Sequence, residues 1–380
     1  MEGTTGQVAD TGGRFVFLDN LRTAMIFLVV LYHSGAVYES SGFFASFWLV
    51  DDPATNDLVG IVNVVIDIFT MPVIFFVSGF LAPISLRSKP GWSFLARRFR
   101  RLLVPWLLAV LTLIPLYKVI FLYSRHLPQE HWTAYFHFSN GIFSQSWLWF
   151  LPILFLFDAV FWGMSKLGRW PQRIPLKAAV TGVFVLGTLC GFSVSMAGLT
   201  GWTKTFLVDF QNERLLIYFL VFLLGAVCYG QRVFDTPPAG KKLYVALAST
   251  VWIPMNVYVI VLLTLLFRPG EYFISLPVDL FIMWAAFVAS LLSTLYLLVM
   301  TFRLWVNQEG ARARFLNPAS YSVYIIHMVV VGAFALLLLD VDIPSLAKYV
   351  TLTLVAYLVS NVIAYVYRVG VKPRLMEAVS

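Results

Sequence analysis

Ten apolar stretches run through this 380-residue sequence, at 16–38, 58–86, 102–123, 147–165, 178–197, 215–230, 243–267, 276–302, 320–339 and 346–367. Each is near the ~20 residues that carry an α-helix across a bilayer. A chain with 60% hydrophobic and only 12% charged residues cannot cover that many apolar segments with a polar surface of its own. The predicted fold is therefore all-α: a polytopic integral membrane bundle of about ten transmembrane helices. The segments at 178–197 and 215–230 are the weakest of the ten, being glycine-containing or short.

Loop charge tests that count independently, because lysine and arginine accumulate on the cytoplasmic loops. Most of the 27 basic residues fall on alternate connections: Arg14, the cluster from Arg87 to Arg101, Lys166 to Lys177, Arg232 to Lys242, Arg303 to Arg314, and Arg368 to Arg374. The other connections hold Arg125, Lys204, Arg214, Arg268 and Lys348. The alternation predicts that both termini are cytoplasmic. It also accounts for the formal charge of +8 without a nucleic-acid partner. Residues 1–13 are expected to form a disordered tail, 14–370 the membrane domain, and 371–380 a short cytoplasmic tail.

Several chemistries find no footing in the sequence. It has no phosphate-binding loop, no dinucleotide fingerprint and no HExxH. Cys190 and Cys228 fall in predicted helices without metal-type spacing. His126, His131 and His137 share one loop, but no carboxylate or cysteine stands at ligand spacing, so no metal site is expected.

Arg22 and His33 are the costliest residues of the first segment, separated by ten uncharged positions. Eleven helical steps return the two side chains to within roughly 20° of one face, about 16 Å apart. Asp19, three residues before Arg22, joins that face. With the N-terminus inside, His33 is expected in the outer half, where an imidazole can take a proton from a hydroxyl near neutral pH. An interfacial Asp19 and Arg22 with a satisfied core histidine is the bland alternative.

Other candidates are more local. Arg98 and Arg101, three apart at a helix N-terminus, form a plausible phosphate site. FFVSGF places Ser78 and Gly79 between Pro72 and Pro83, where close helix packing or a helix break is expected. PASYSVYIIHMV sets Tyr324 and His327 on one face, with Asn317 and Pro318 capping the helix start. Asp67, Lys118, Asp158 and Asp279 lie within predicted helices and would suit proton-coupled transport or internal ion pairs.

The order of these motifs resembles that of membrane acyltransferase family 3, closest to its subgroup containing glucan biosynthesis protein C. The opening FLDNLRTAMIFLVVLYHS, the Arg22 to His33 spacing, FFVSGF, Arg98 and Arg101 before Pro105, Trp149 to Leu151, YFLVFLLGAVCYG and ASYSVYIIH each resemble a family motif. The resemblance implies O-acyl transfer from cytoplasmic acyl-CoA, acetyl-CoA or succinyl-CoA, to a hydroxyl of an extracytoplasmic carbohydrate such as a glucan. No tightly bound cofactor is implied, and the expected location is a bacterial inner membrane. His33 would be the base, with Asp19 and Arg22 organising its helix face. Arg98, Arg101, Ser78 and Gly79 would bind the acyl donor, and Tyr324, His327 and Trp149 would support the site. An open path from Arg22 to His33 is the structural expectation. A glycan or small-molecule transporter is the alternative.

Overall fold

The computed structural model describes residues 15–40, 50–88, 91–136, 145–166, 168, 173–236 and 240–371. The helices are α1 (Val16–Gly35), α2 (Asp57–Asp67), α3 (Thr70–Ser88), α4 (Trp92–Ser124), α5 (Phe150–Lys166), α6 (Leu176–Met196), α7 (Leu215–Gly230), α8 (Lys242–Thr250), α9 (Trp252–Phe267), α10 (Leu276–Trp305), α11 (Ala311–Leu316), α12 (Ser320–Leu338) and α13 (Ser345–Val366). A two-stranded antiparallel hairpin, β1 (Trp202–Lys204) and β2 (Asp209–Gln211), joins α6 to α7. Among the described residues nine helical segments, α2–α3 and α8–α9 each counted as one, are long and apolar enough to cross a membrane; α7, with 16 residues, is shorter.

The helix directions nevertheless require α7 to count as a crossing. α6 runs antiparallel to α10, since Gly187 meets Val288 and Gly191 meets Trp284. The α8–α9 unit also runs antiparallel to α10, since Tyr258 packs on Phe287 and the Tyr244 hydroxyl lies 3.0 Å from Thr301 Oγ1. α6 and α9 are thus parallel, so the chain returns once between them, and α7 makes that return. Its pairing with α3 agrees: Phe75 meets Tyr218, Phe80 meets Tyr229, and the two helices run the same way.

The α3–α7 crossing is unusually close because each helix contributes a glycine. A Cβ on Gly79 would lie 1.9 Å from the Phe222 carbonyl oxygen, and one on Gly225 would lie 2.2 Å from the Phe76 carbonyl oxygen. Small residues that let backbones touch are how membrane helices associate when the solvent is as apolar as their side chains.

The second segment is not one helix but two. α2 ends at Asp67 and α3 starts at Thr70. Pro72 explains the break: it has no N–H for the Ile68 carbonyl, and its ring would clash with that carbonyl in a continuous helix. The interruption falls at Ile68–Phe69, while FFVSGF lies inside an unbroken helix. The predicted span stands as one crossing, Asp57–Ser88, and the expected site of a break moves from FFVSGF to Ile68–Phe69.

α1 begins at one face of the bundle, the proximal face, and stops at Gly35 rather than reaching Tyr38. Ala36, Val37 and Tyr38 form a buried turn. The Tyr32 carbonyl accepts both from the Ala36 N–H at 3.0 Å and from Asn63 Nδ2 at 3.1 Å, which ties the end of α1 to α2. On the opposite, distal face, buried Lys348 donates to Asp52 Oδ2 at 2.9 Å and to the Leu339 carbonyl at 3.1 Å, pinning the chain before α2 onto α13.

Candidate active site

α1 and α12 are parallel and hold a constant register. Toward the proximal face Thr23 Oγ1 donates to Asn317 Oδ1 at 2.7 Å, and Asn317 Nδ2 donates to Asn20 Oδ1 at 2.7 Å. Asn20 Nδ2 in turn donates to the Val306 carbonyl at 2.7 Å, and the Phe17 N–H to Asn307 Oδ1 at 3.2 Å. Buried side-chain amides satisfied in this way fix one helix against the other, since each lost partner would cost about 1–3 kcal/mol. Asn317 therefore spends its side chain on α1 rather than capping α12, whose N-cap is Ala319.

Ten residues farther along both helices this register brings His33 to His327. The ring centroids are 4.9 Å apart, and His327 Nε2 lies 3.2 Å from His33 Nδ1. His33 Nδ1 is also 2.8 Å from the Val29 carbonyl, and His327 Nδ1 is 2.7 Å from the Tyr324 carbonyl. His327 is the eighth of nineteen residues in α12, so His33 sits level with the middle of that helix. Along α1, His33 falls in the last turn, in the half away from the proximal face, while against the longer bundle it is level with the middle of α12.

A cavity of about 870 Å³ includes His33 in its lining. α1 contributes Val29 and Tyr32 beside His33, and the α2–α3 break contributes Val64, Asp67, Thr70 and Met71. Exposed Thr200, Trp202, Pro269 and Tyr272 line its distal end. The wall is strongly aromatic: Trp149 stacks on Tyr218 with centroids 5.9 Å apart, and Trp202 meets Trp149 edge-on at 5.4 Å. Tyr324 and Trp147 join that wall, and the Tyr324 hydroxyl donates to the Trp147 carbonyl. Burial lowers the pKa of Lys204, on β1 outside the spanning helices, against the raising pull of Asp209.

An ion pair sits in the same wall. Arg214 Nη1 and Asp67 Oδ2 are 2.5 Å apart, Arg214 Nη2 lies 3.2 Å from the Tyr258 hydroxyl, and the guanidinium lies over the Phe287 ring. Sequence reasoning treated Arg214 as an ordinary loop base. The signal that could have found it is its place directly before the apolar run LLIYFLVF, facing the one carboxylate stranded at the Pro72 break.

The structure thus gathers His33, His327, Tyr324 and Trp149 at one place and leaves the other candidates elsewhere. Asp19 and Arg22 pair with each other at 3.2 Å near the proximal end of α1. Arg98 pairs with fully buried Asp158 at 3.2 Å, holding α4 to α5. Arg101 is exposed, and its carbonyl accepts from the Tyr321 hydroxyl at 2.6 Å. Ser78 and Gly79 do not line the cavity, and Gly79 is occupied by the α7 crossing. The lining ends at Val29, seven residues or about 10 Å along α1 from Arg22. Of the expected open path from Arg22 to His33, this cavity covers the part from Val29 to His33, and buried Met25 and Ile26 lie on α1 between Val29 and Arg22.

The four scattered charges have local roles. Asp67 holds Arg214, Asp158 holds Arg98, and Asp279 accepts from the N–H groups of Phe273 and Ile274 at 2.7 and 3.2 Å. Lys118 lies 5.6 Å from the Tyr117 ring and lines the cavity. Of the three loop histidines, His137 lies outside the described residues. Among those described, no group of three or more histidine, cysteine or acidic residues is placed to hold a metal ion.

A half-buried imidazole in an aromatic chamber within a bundle of membrane-crossing helices defines an integral multi-pass protein with a candidate proton-transfer site. The model of an acyltransferase domain, acyltransferase 3, matches residues 15–367, and the chain belongs to that family of membrane acyltransferases. No curated protein and no solved structure matches the chain.

Proposed function

We propose that this acyltransferase moves an acyl group, acetyl or succinyl, from cytoplasmic acyl-CoA to a hydroxyl of an extracytoplasmic carbohydrate such as a glucan. The observation that carries the reading is His33, a candidate base at mid-bundle, lining an aromatic chamber whose lining extends to the distal loops. Aromatic faces suit sugar rings, and pockets of this size bury ligands of one or two rings.

The loop-charge bias favours a cytoplasmic proximal face, and the resemblance stated for the sequence favours a bacterial inner membrane. Arg101 at the proximal start of α4, with Arg22 in a supporting position, would then meet the anionic head of the donor. Arg98 serves mainly to hold Asp158. Transport driven through Asp67, Asp158 and Asp279 is the weaker reading, because each carboxylate is already engaged by a protein partner.

The test is purified protein in liposomes supplied with acetyl-CoA or succinyl-CoA and cellobiose. Acceptor-dependent release of free thiol, with an acyl ester on the sugar by mass spectrometry, supports the proposal. Sugar flux without thiol release would replace it with a carrier.

A further inference from the structure

The acids on α1 and in the cavity wall are placed away from His33 or held by other groups. Asp19 is fourteen residues away on α1, about 21 Å along the axis. Of the three acids in the cavity wall, Asp67 is bound to Arg214, Asp209 accepts from the N–H groups of Gln145 and Thr205, and Glu213 accepts from that of Gly201. What stands at 3.2 Å from His33 Nδ1 is His327 Nε2.

The proton positions follow from the partners. A backbone carbonyl only accepts, so His327 Nδ1, 2.7 Å from the Tyr324 carbonyl, carries its proton, and Nε2 of that ring carries the lone pair. His33 Nδ1, 2.8 Å from the Val29 carbonyl, is protonated for the same reason, and its N–H is shared between that carbonyl and His327 Nε2. The lone pair of His33 then falls on Nε2, the nitrogen that a base must offer. His327 is itself fully buried and does not line the cavity.

We propose that His327 is a positioning residue for His33, a neutral acceptor that fixes the Nδ1–H tautomer and stabilises the imidazolium formed in the reaction. The inference rests on the reading of His33 as the base. In the step it supports, the acceptor hydroxyl gives its proton to His33 Nε2 while its oxygen attacks the thioester carbonyl carbon. The C–S bond breaks with its electron pair on sulfur, and the Nε2 proton passes to that thiolate. The products are the ester, the free thiol and a neutral His33. Through the positively charged interval the Nδ1–H points at two acceptors, the Val29 carbonyl and His327 Nε2. A carboxylate there would hold a permanent negative charge in a low-dielectric bundle, whereas a second imidazole supplies the acceptor without that cost.

Two variants of the full-length protein separate positioning from packing. His327→Phe keeps a ring of similar size and removes the acceptor; His327→Gln keeps an acceptor. The expected result is a fall in kcat of about 100-fold for His327→Phe with both KM values little changed, and recovery of at least about tenfold by His327→Gln, within the range general-base catalysis supplies. Equal kcat in His327→Phe and wild type, or equal losses in both variants, would overturn the proposal. A readout independent of activity is the 15N spectrum of wild-type protein labelled at histidine. His33 should show protonated Nδ1 and a pyridine-type Nε2, and the Nε2–H tautomer would overturn the assignment even if the variants fail to fold. If wild type transfers no acyl group but shows this tautomer, the function reading fails and the pairing stands.

Discussion

Replacing Gly79 by alanine tests whether FFVSGF serves packing or ligand binding. The added Cβ would lie 1.9 Å from the Phe222 carbonyl oxygen and 2.6 Å from its carbonyl carbon. Ordinary contact begins near 3.4 Å, so α3 and α7 must part by about 1.5 Å at that level. The obstacle is backbone, and no rotamer change relieves it. Parting the helices also loosens the Phe75–Tyr218 and Phe80–Tyr229 contacts on either side. Overpacking costs about 1–3 kcal/mol where side chains can yield, and the upper end applies here, about 3 kcal/mol. For a chain of this length the unfolding entropy makes that a fall in Tm of roughly 4 °C. The assay is thermal unfolding of purified protein followed by tryptophan fluorescence, beside the KM for the acyl thioester. Gly225→Ala should behave alike, and the double variant should cost less than the two together, because one separation relieves both clashes. A Gly79→Ala protein that melts with wild type while its thioester KM rises several-fold would refute the argument.

Arg98 and Arg101 should separate into a structural and a binding residue. Arg98→Met leaves Asp158 buried and unpaired and should destabilise by about 3 kcal/mol, much of it recovered in Arg98→Met with Asp158→Leu, measured by the same melts. Arg101→Ala should leave Tm unchanged and raise the acyl-CoA KM about tenfold, the loss of one charge-assisted contact; an unchanged KM would remove it from the donor site. Trp202→Ala, at the exposed position of the hairpin, should raise the KM for cellobiose several-fold with donor KM and Tm unaltered, read from initial rates at varied acceptor.

The bundle was largely legible because apolar length and loop charge are both coarse signals, set by bilayer thickness and topology rather than by packing detail. Even α7, too short to be convincing by length, follows from loop alternation and is supported by the directions of α6 and α9. What the sequence conceals is where a helix stops inside the protein. α1 ends at Gly35 because a buried turn and Asn63 take over, and apolar Ala36 and Val37 read as more helix. The Ile68–Phe69 break was signalled by Pro72, which acts on the carbonyl four residues earlier rather than at its own position. At the site, His33 and His327 were each visible as expensive residues. Their pairing was not, since it depends on α1 and α12 lying parallel in register. Arg214 looked like a loop base until Asp67 was seen beside it. The glycine of FFVSGF reads from the sequence as a close-packing or break position, and the α7 crossing bears out the packing; its donor-binding role came only from the resemblance.

The most direct test of the account is the rate of acyl transfer by His33→Ala in liposomes, with acetyl-CoA or succinyl-CoA as donor and cellobiose as acceptor. The variant, with the Tm and elution profile of wild type, should release thiol and form ester at least about 100-fold more slowly, the loss expected when a general base is removed. Transfer at the wild-type rate by that folded variant would contradict the assignment of His33 as the base.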